Sequence, residues 1–271
     1  MTQRLGRYEL IARLATGGMA EIWLARQHSF GGFQKVVALK RIRPKLARDP
    51  AFVEAFVAEA RLAAELHHPN IAQIYDLAEI EGSPVIAMEL VHGDNLQLIQ
   101  RRSWELRGRP LDPGHAAWIV AKVCRALSYA HTAADLAGRP LGVVHRDVSP
   151  SNVLVSFRGQ VKVVDFGIAR AVTGPTAGGG GKVAYMSPEQ CAGADVDARS
   201  DVFSAGIVLW EALTGVRLFG GMAEADTRAA IAGPSPVRSP LEVRADLDAG
   251  LVAVALKALA KAPADRYPTA A

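Results

Sequence analysis

Residues 145–152 read His-Arg-Asp-Val-Ser-Pro-Ser-Asn, and Asp-Phe-Gly stands further along at residues 165–167. A carboxylate such as that of Asp147 can accept a proton from an attacking hydroxyl group. Asn152 and Asp165 offer hard oxygen ligands of the kind that Mg²⁺ prefers. These residue types in this order predict a phosphoryl-transfer site in which Asp147 is catalytic and Asn152 and Asp165 hold the metal.

Two further parts of such a site stand upstream. Lys40 closes an apolar, strand-like run, and Glu59 lies on the apolar-striped helix that follows. A lysine anchored by a glutamate can hold phosphate groups. Gly17 and Gly18 lie between two predicted strands, where missing side chains let backbone N–H groups approach phosphate oxygens. Taken singly, each is equally typical of a hairpin turn or a solvated surface, so the prediction depends on all of them occurring together.

The periodicity of the chain changes near residue 90. Short apolar runs with one helical stretch precede that point, and long helical periodicities follow it. The predicted strands are 8–14, 21–26, 36–42, 71–77 and 85–88, and the predicted helices are 51–67, 116–131, 201–213 and 251–261. The sequence therefore predicts an α+β fold with a small antiparallel sheet-rich lobe, residues 1–90, and a larger, mostly helical lobe, residues 91–271. The pattern stops abruptly after residue 268, so we expect a truncated last helix and a chain that continues past Ala271.

Composition excludes several other classes of function. Half of the 271 residues are apolar, enough for a substantial core. The net charge of +4 comes from scattered basic residues that acidic ones nearly match, so no nucleic-acid surface is predicted. Cys124 and Cys191 are too isolated to suggest a disulfide framework or a zinc site, which favours a cytoplasmic location. Because no apolar stretch is long enough to span a bilayer, we expect no membrane contact by this segment.

With these motifs in place, the chain resembles the eukaryotic-like (Hanks-type) serine/threonine protein kinases, in their bacterial form. The match runs from Tyr8 to about Pro268, with Met-Ser-Pro-Glu at residues 186–189 in the place of the family's Ala-Pro-Glu and Arg266 positioned to pair with Glu189. The resemblance implies the bilobal protein kinase fold. It also implies phosphorylation of serine or threonine hydroxyls on proteins with ATP and Mg²⁺, or Mn²⁺ as the alternative metal.

The resemblance further assigns the nucleotide site. Met88 takes the gatekeeper position, the backbone of Glu89 and Val91 would hydrogen-bond the adenine edge, and Asp94 or Asn95 would contact the ribose. The apolar residues implied to enclose the adenine ring are Leu14, Ile22, Ala38 and Leu154. His145, by the same resemblance, packs in the interior and is not the general base.

The chain departs from the family pattern at four positions. Ala15 and Ala20 replace two glycines of the phosphate-covering loop, which suggests a stiffer cover. Ser149 replaces a lysine that touches the transferring phosphate, and Lys182 replaces a threonine on the opposite wall. These two changes are reciprocal, so we expect Lys182 to reach the phosphate and Asp147 with Ser149 as its hydrogen-bond partner. The alternative is that Lys182 is merely exposed in a mobile loop and Ser149 marks a weakened enzyme.

Regulation and a rival function also follow from the resemblance. Arg146 beside the catalytic aspartate implies activation by a phosphorylated loop residue, for which Thr173 and Thr176 are the candidates, with self-association for autophosphorylation. The rival is a pseudokinase, an ATP-binding scaffold without phosphoryl transfer, which Ser149 and the loop alanines favour. Retention of the metal-binding, lysine–glutamate and aspartate positions opposes it. Tyrosine specificity is disfavoured because the segment before Pro188 resembles the serine/threonine form.

Overall fold

The computed structural model of the protein describes residues 3–166 and 182–271, which fall into two units divided between His92 and Gly93. The first unit contains an antiparallel six-stranded sheet with strand order β1-β2-β3-β4-β6-β5. Its strands are β1 (Gln3–Leu5), β2 (Tyr8–Thr16), β3 (Ala20–His28), β4 (Gln34–Ile42), β5 (Ile74–Ile80) and β6 (Ser83–Met88). Among the described residues of this unit, the one α-helix is α1 (Pro50–Ala64).

Local sequence signals explain where α1 begins. Asp49 is the N-cap, and its side chain accepts a hydrogen bond from the backbone N–H of Ala51 at 3.1 Å. Pro50 follows at the first helical position, where its lack of an N–H group costs nothing. The helix buries Phe52, Phe56 and Ala60 in one cluster with Ile42 and Ile86 of the sheet. This packing fixes the face of α1 that carries Glu59.

The second unit is built around one buried helix. Its helices are α2 (Leu96–Arg107), α3 (Pro113–His131), α4 (Pro188–Ala192), α5 (Ala198–Thr214), α6 (Glu224–Ala232) and α7 (Ala249–Ala258). A small antiparallel sheet joins β7 (Gly93–Asn95), β8 (Val153–Ser156) and β9 (Val161–Val163). Every residue of α5 from Ser200 to Thr214 is buried, which is typical of a helix that is covered on all sides. A side chain at Gly206 would lie 3.0 Å from the Cβ of Ala258, so glycine permits the close approach of α5 and α7.

The predicted α+β class is confirmed, and all five predicted strands and four predicted helices are present with shifted ends. The first predicted helix ends at Ala64 rather than at residue 67, and the last ends at Ala258 rather than at residue 261. Helices α2, α4 and α6 and the small sheet were not predicted. After Asp265 the described chain runs to Ala271 without a further helix, so the expected last helix has no counterpart there. Among the described residues, no helix combines the length and apolar character needed to cross a membrane.

A buried ion pair joins α4 to the last residues of the chain. The Arg266 side chain is fully buried and donates two hydrogen bonds to Glu189, at 2.7 and 2.9 Å. It also donates to the carbonyl oxygens of Ala260, Arg199 and Lys261. Burial acts to raise the pKa of the Glu189 carboxyl, but hydrogen bonds from Arg266 and Ser200 outweigh it and hold that pKa below its usual value.

Replacement of Arg266 by alanine should destabilise the protein strongly, because it leaves the Glu189 carboxylate buried without its partner. The expected loss is about 3–5 kcal/mol in the free energy of unfolding, measured by urea titration. Arg158→Ala removes an exposed arginine of the same unit and should change the stability by less than about 0.5 kcal/mol. Equal stabilities of the two variants would contradict the assigned role of the pair.

The same pair predicts the direction of a pH effect. Because the folded-state pKa of Glu189 lies below its usual value of 4.5, its contribution to stability is complete well above pH 4.5. It declines as the pH falls through the lower folded-state pKa. The stability difference between the native chain and Arg266→Ala should therefore be constant at neutral pH and shrink under acid, as measured by urea titration across pH.

Candidate active site

The segment that carries Asp147 is held by one buried carboxylate. Asp201, in the first turn of α5, accepts hydrogen bonds from the backbone N–H groups of His145 and Arg146, each at 2.8 Å. Arg146 has a φ angle of 62°, in the left-handed region that costs a non-glycine residue energy. Asp201 itself is fully buried. Its two oxygens thus hold a strained turn directly before Asp147.

His131 is a third partner of this carboxylate. It lies in the last turn of α3, and its Nε2 is 2.7 Å from Oδ2 of Asp201. The carboxylate can only accept, so Nε2 carries the proton. Both side chains are almost completely buried. A buried histidine, a buried aspartate and two backbone N–H groups therefore form one polar network beneath the 145–147 segment.

His145 fixes the backbone of Asp147. Its Nδ1 accepts the backbone N–H of Asp147 at 3.2 Å, and its Nε2 is 3.2 Å from the carbonyl oxygen of Val164. Since Nδ1 accepts, the ring proton lies on Nε2 and is donated to Val164. The imidazole is fully buried, with its centroid 4.5 Å from that of the Phe166 ring. His145 thus packs in the interior and also links the 145–147 segment to the chain around Asp165.

Asn152 and Lys182 both bind the same oxygen of the Asp147 carboxylate. The amide nitrogen of Asn152 donates to Oδ2 of Asp147 at 2.9 Å and to its backbone carbonyl at 2.8 Å. The ammonium group of Lys182 forms an ion pair with Oδ2. Asp147 is buried, whereas the Lys182 side chain is 37% exposed. The partly exposed ammonium group of Lys182 thus contacts the carboxylate that the sequence predicts to be catalytic.

The structure corrects the expected partner of Ser149. Its hydroxyl is not bonded to Lys182; it lies 2.9 Å from the hydroxyl of Ser151. Ser149 is 2% exposed and directly precedes the short 3₁₀ turn Pro150–Asn152, so its hydroxyl points into the catalytic segment. The ammonium of Lys182 contacts the carboxylate of Asp147 instead, because a charged acceptor binds a cation more strongly than a neutral hydroxyl does.

Asn152 and Asp165 fit a magnesium site. The amide nitrogen of Asn152 is committed to Asp147, which fixes the opposite orientation for the amide oxygen. Asp165 has a φ angle of 57°, a second left-handed residue held in this region. Within residues 3–166 and 182–271 no cluster of three or more His, Cys, Asp or Glu could enclose a metal. Two oxygen ligands without a complete protein cage suit Mg²⁺, which is usually shared with substrate phosphates.

The first unit contributes a lysine–glutamate pair. Nζ of Lys40, on β4, lies 3.1 Å from Oε1 of Glu59 on α1. Each side chain is only 12% exposed, so this is not the solvated pair of an ordinary surface. The Lys40 ammonium also lies 5.7 Å from the centre of the Phe56 ring. Burial of two charges is costly in itself, which makes a purely stabilising role a poor explanation for the pair.

The glycine loop joins β2 to β3. The backbone N–H of Gly17 donates to the carbonyl of Ala20 at 2.9 Å. A methyl group added at Gly17 would meet only that carbonyl, at an ordinary 3.4 Å, so the fold itself does not require glycine there. Ala20, which replaces a family glycine, is 8% exposed and packs with Ile42 and Phe52 in the core. Its methyl group therefore has a packing role.

The remaining nucleotide-site residues are distributed over both units. Leu14, Ile22 and Ala38 lie on the neighbouring strands β2, β3 and β4, with Leu14 half exposed. Met88 ends β6, and the N–H of Glu89 donates to the carbonyl of Gln73 at 2.8 Å. In a hydrogen bond between Glu89 and adenine, the backbone carbonyl of Glu89 would therefore be the acceptor. Val91 follows in the first unit, and Leu154 belongs to β8 of the second.

Asn95 and Asp94 have local structural partners. The side-chain oxygen of Asn95 caps α2 by accepting the N–H of Leu98 at 2.8 Å. Asp94 forms an ion pair with Arg102 at 3.1 Å. Sequence reasoning had considered both only as ribose ligands. The pattern of an asparagine directly before a helical stripe could have revealed the cap.

Sequence reasoning missed two supports of the site. Gln190 donates to the carbonyl of Arg146 at 3.0 Å, and it forms a capping box with Ser187 at the start of α4. A serine followed three residues later by a glutamine, as at Ser187 and Gln190, is the sequence pattern that predicts such a capping box. The second support, Asp201, could not be found locally, because its partners precede it by more than fifty residues. The loop candidates Thr173 and Thr176 lie outside the described residues.

Comparison with known proteins identifies the family of the chain. A family model of the protein kinase domain matches residues 8–269. The chain belongs to the protein kinase family. This confirms the predicted resemblance, and the match spans both units.

Three relatives illustrate the range of similarity. The chain is 44% identical over its whole length to "Tyrosine-protein kinase MasK" of Myxococcus xanthus, covering 42% of that protein. It is 42% identical over 98% of its length to "Serine/threonine-protein kinase PknB" of Mycobacterium leprae, covering 41% of that protein. The crystal structure of the Mycobacterium tuberculosis PknI kinase domain superposes with a TM-score of 0.73 at 30% identity, covering 99% of this chain and 94% of that one. The chain thus spans about two fifths of the length of the full-length relatives.

Replacement of Asp201 by asparagine should loosen the catalytic segment. An amide has only one acceptor oxygen, so one of the two buried N–H groups would lose its partner and face a second donor. An unsatisfied buried donor costs about 1–3 kcal/mol, and we expect a loss of that size in the free energy of unfolding. Urea titration would measure it.

Asp197→Asn is the matched control, since Asp197 caps the same helix and asparagine caps as well as aspartate. It should be nearly neutral. If Asp201→Asn were as stable as this control, Asp201 would not have the anchoring role described.

Proposed function

We propose that this chain transfers the terminal phosphoryl group of ATP to serine or threonine hydroxyls of proteins, with Mg²⁺ as the metal. The observation that carries the proposal is the buried carboxylate of Asp147, held by Asn152 and ion-paired with Lys182. The protein kinase family match over residues 8–269 supports the same reaction. The buried Lys40–Glu59 pair supplies the phosphate-binding cation that this reaction needs.

The roles of the chain's own residues follow from this arrangement. Asp147 accepts the hydroxyl proton of the acceptor residue while the new oxygen–phosphorus bond forms and the bond to the leaving ADP oxygen breaks. Asn152 orients Asp147 by bonding both its carboxylate and its backbone carbonyl. Asn152 and Asp165 would hold the metal, and Lys40 the non-transferred phosphates. When bound, Mg²⁺–ATP supplies the phosphoryl group and neutralises charge between its phosphates.

Lys182 is proposed to supply the positive charge that is lost because Ser149 stands in place of the family's lysine. Related kinases place a lysine two residues after the catalytic aspartate, and this chain places its ammonium on Asp147 from a later segment. The group is 37% exposed, so an incoming phosphate could contact it while it stays paired with Asp147. On this interpretation the family's charge is retained at a new position in the sequence. A pseudokinase is then not required to explain Ser149.

Tyrosine is the second candidate acceptor. It is favoured by the printed name of the Myxococcus xanthus relative, a tyrosine-protein kinase. Serine or threonine is preferred here because the PknB relatives carry that specificity in their names and because the segment before Pro188 resembles the serine/threonine form. Identification of the phosphorylated amino acid in the product distinguishes the two.

Regulation of the site is part of the same proposal. Autophosphorylation on Thr173 or Thr176, through self-association, would give Arg146 a phosphate partner. The resemblance to the family assigns adenine contacts to Leu14, Ile22, Ala38 and Leu154, with Met88 as gatekeeper. Phosphopeptide mapping of the active enzyme would identify the modified residue.

The central test compares variants in an assay with labelled ATP, Mg²⁺ and a generic protein acceptor. Asp147→Asn should abolish transfer nearly completely, because an amide does not accept the proton. Lys182→Met should reduce kcat on the order of a hundredfold, the usual effect of removing one transition-state charge. Binding of a fluorescent ATP analogue should be nearly unchanged in both variants.

Lys45→Met removes an exposed lysine of the first unit and serves as the control, with unchanged kcat. Full activity of Lys182→Met would eliminate the proposed exchange of positions. An absence of labelling by the native chain, despite tight nucleotide binding, would instead favour the scaffold function. Replacement of Mg²⁺ by Mn²⁺ in the same assay identifies the preferred metal.

A further inference from the structure

A cavity lies in the helical unit, and Asn95, the predicted ribose contact, is the one predicted site residue in its described lining. Its volume is about 490 Å³. It is bounded by α2, by the C-terminal end of α5 and by the loop that follows α5. The residues that the argument uses are Arg101, Trp104, Tyr185, Glu211, Gly215 and Arg217.

The floor of the cavity is a buried pair with satisfied hydrogen bonds. The Tyr185 hydroxyl donates to Oε2 of Glu211 at 2.6 Å, and the backbone N–H of Leu218 donates to Oε1 at 3.1 Å. Burial raises the pKa of the Glu211 carboxyl and also that of the Tyr185 hydroxyl. Both oxygens of Glu211 already accept, so the floor is not a site that attracts a cation.

The rim of the cavity, by contrast, is cationic. Arg217 is exposed and lies 5.6 Å from the centre of the Tyr185 ring. Its charge acts on the buried Glu211 carboxyl and opposes the effect of burial on the pKa of that group, but no ion pair of Arg217 is formed within the described residues. Among the residues that the structure describes, the ion-pair partner of Arg101 is Glu105, at 3.4 Å, and both of these side chains are more than half exposed. Such an exposed pair is worth little and is easily exchanged for another anion. Two guanidinium groups are therefore available at the mouth of the cavity.

One wall is fixed by a close packing contact. The indole N–H of Trp104 donates to the carbonyl of Gly215 at 2.9 Å, and 42% of the Trp104 side chain is exposed. Gly215 has a φ angle of +74°, and a Cβ there would lie 2.4 Å from the indole nitrogen. Only glycine suits this position, so the aromatic wall and the loop carrying Arg217 are held together. A preformed wall lowers the entropic cost of binding a ligand.

The cavity lies within reach of the catalytic aspartate. Tyr185 is three residues after Lys182, whose ammonium contacts Asp147. Three residues span at most about 11 Å of chain. Tyr185 is fixed in turn, because Ser204 of α5 donates to its carbonyl at 2.8 Å. An extended peptide advances about 3.3 Å per residue, so a side chain a few positions from a hydroxyl at Asp147 can enter the cavity.

We propose that this cavity binds an anionic side chain of the acceptor protein, near in sequence to the residue that is phosphorylated. The proposal rests on the proposed kinase function and adds a preference among substrates. Arg217 and Arg101 would bind the carboxylate of an aspartate or glutamate, or a phosphate group already on the substrate, since guanidinium groups bind both in a bidentate manner. Trp104 would pack against the peptide's apolar atoms.

The test uses serine peptides that carry aspartate, phosphoserine, alanine or lysine at each of four positions on either side of the acceptor. For the native chain, kcat/KM should be about fivefold higher with aspartate than with alanine at one or more positions. The preference should decrease at high salt because exposed charges are screened. Arg217→Ala should lose most of it, Arg101→Ala part of it, and Arg217→Glu should prefer lysine peptides.

Arg158→Ala, an exposed arginine of the same unit, is the control and should retain the native preference. A native enzyme that treats aspartate, alanine and lysine peptides alike, with no change in Arg217→Glu, would overturn the proposal. Selection of phosphoserine alone would support it and identify a previously phosphorylated protein as the source. If aspartate peptides are preferred as well, the proposal is supported and the natural substrate is expected to carry acidic residues near its acceptor.

A separate measurement keeps this proposal apart from the proposed kinase function. Binding of a fluorescent aspartate peptide to the native chain and to Arg217→Glu is followed by polarisation, without ATP. If no peptide is phosphorylated, the kinase function fails, yet about fivefold weaker binding to Arg217→Glu would still support the anionic site. Equal binding to both would overturn the site, whatever the catalytic result.

Discussion

The buried carboxylate of Asp201 is the constraint on which the catalytic segment depends. It satisfies two backbone N–H groups and one imidazole at once, and it reaches them from a helix that is itself covered on all sides. Because α5 cannot shift without disturbing the core of the second unit, the turn at residues 145 and 146 cannot shift either. His145 extends this rigidity to Asp147 through Nδ1 and to the chain before Asp165 through Nε2. The position of the reactive carboxylate is thus set by the interior of the helical unit.

Against this fixed background, the cation beside Asp147 is the adaptable part. A lysine within the 145–152 run would be tied to the rigid turn, whereas Lys182 approaches from a later segment and is partly exposed. The two arrangements can place the same charge near the same carboxylate. Ser149 then serves the local structure, with its hydroxyl on that of Ser151. If the proposed exchange is right, a protein of this family can move a charge to another sequence position while keeping it beside the same carboxylate.

Much of this could be predicted from the sequence. Period-two and helical patterns identified the main strands and helices, and residue types at fixed spacing identified Asp147, Asn152 and Asp165. Helix α2 was missed because polar residues dominate it and only Leu96 and Ser103 are buried. The partner of Ser149 was predicted wrongly because several nearby groups compete for one hydroxyl, and only side-chain geometry decides among them. The contacts of Asp201 with residues 145 and 146, and of Tyr185 with Glu211, join segments that are distant in sequence. No local sequence pattern therefore predicts them.

Arg146 and Asp165 both have left-handed backbone angles, with φ near +60°. Such a conformation costs a side-chain-bearing residue roughly 1–2 kcal/mol, and glycine would avoid the cost. A search for thermostable versions of this protein would therefore be drawn to glycine at these two positions. Those substitutions would remove the predicted metal ligand Asp165 and the arginine beside the predicted catalytic aspartate. At these two positions, selection for heat resistance and selection for turnover would therefore favour different residues.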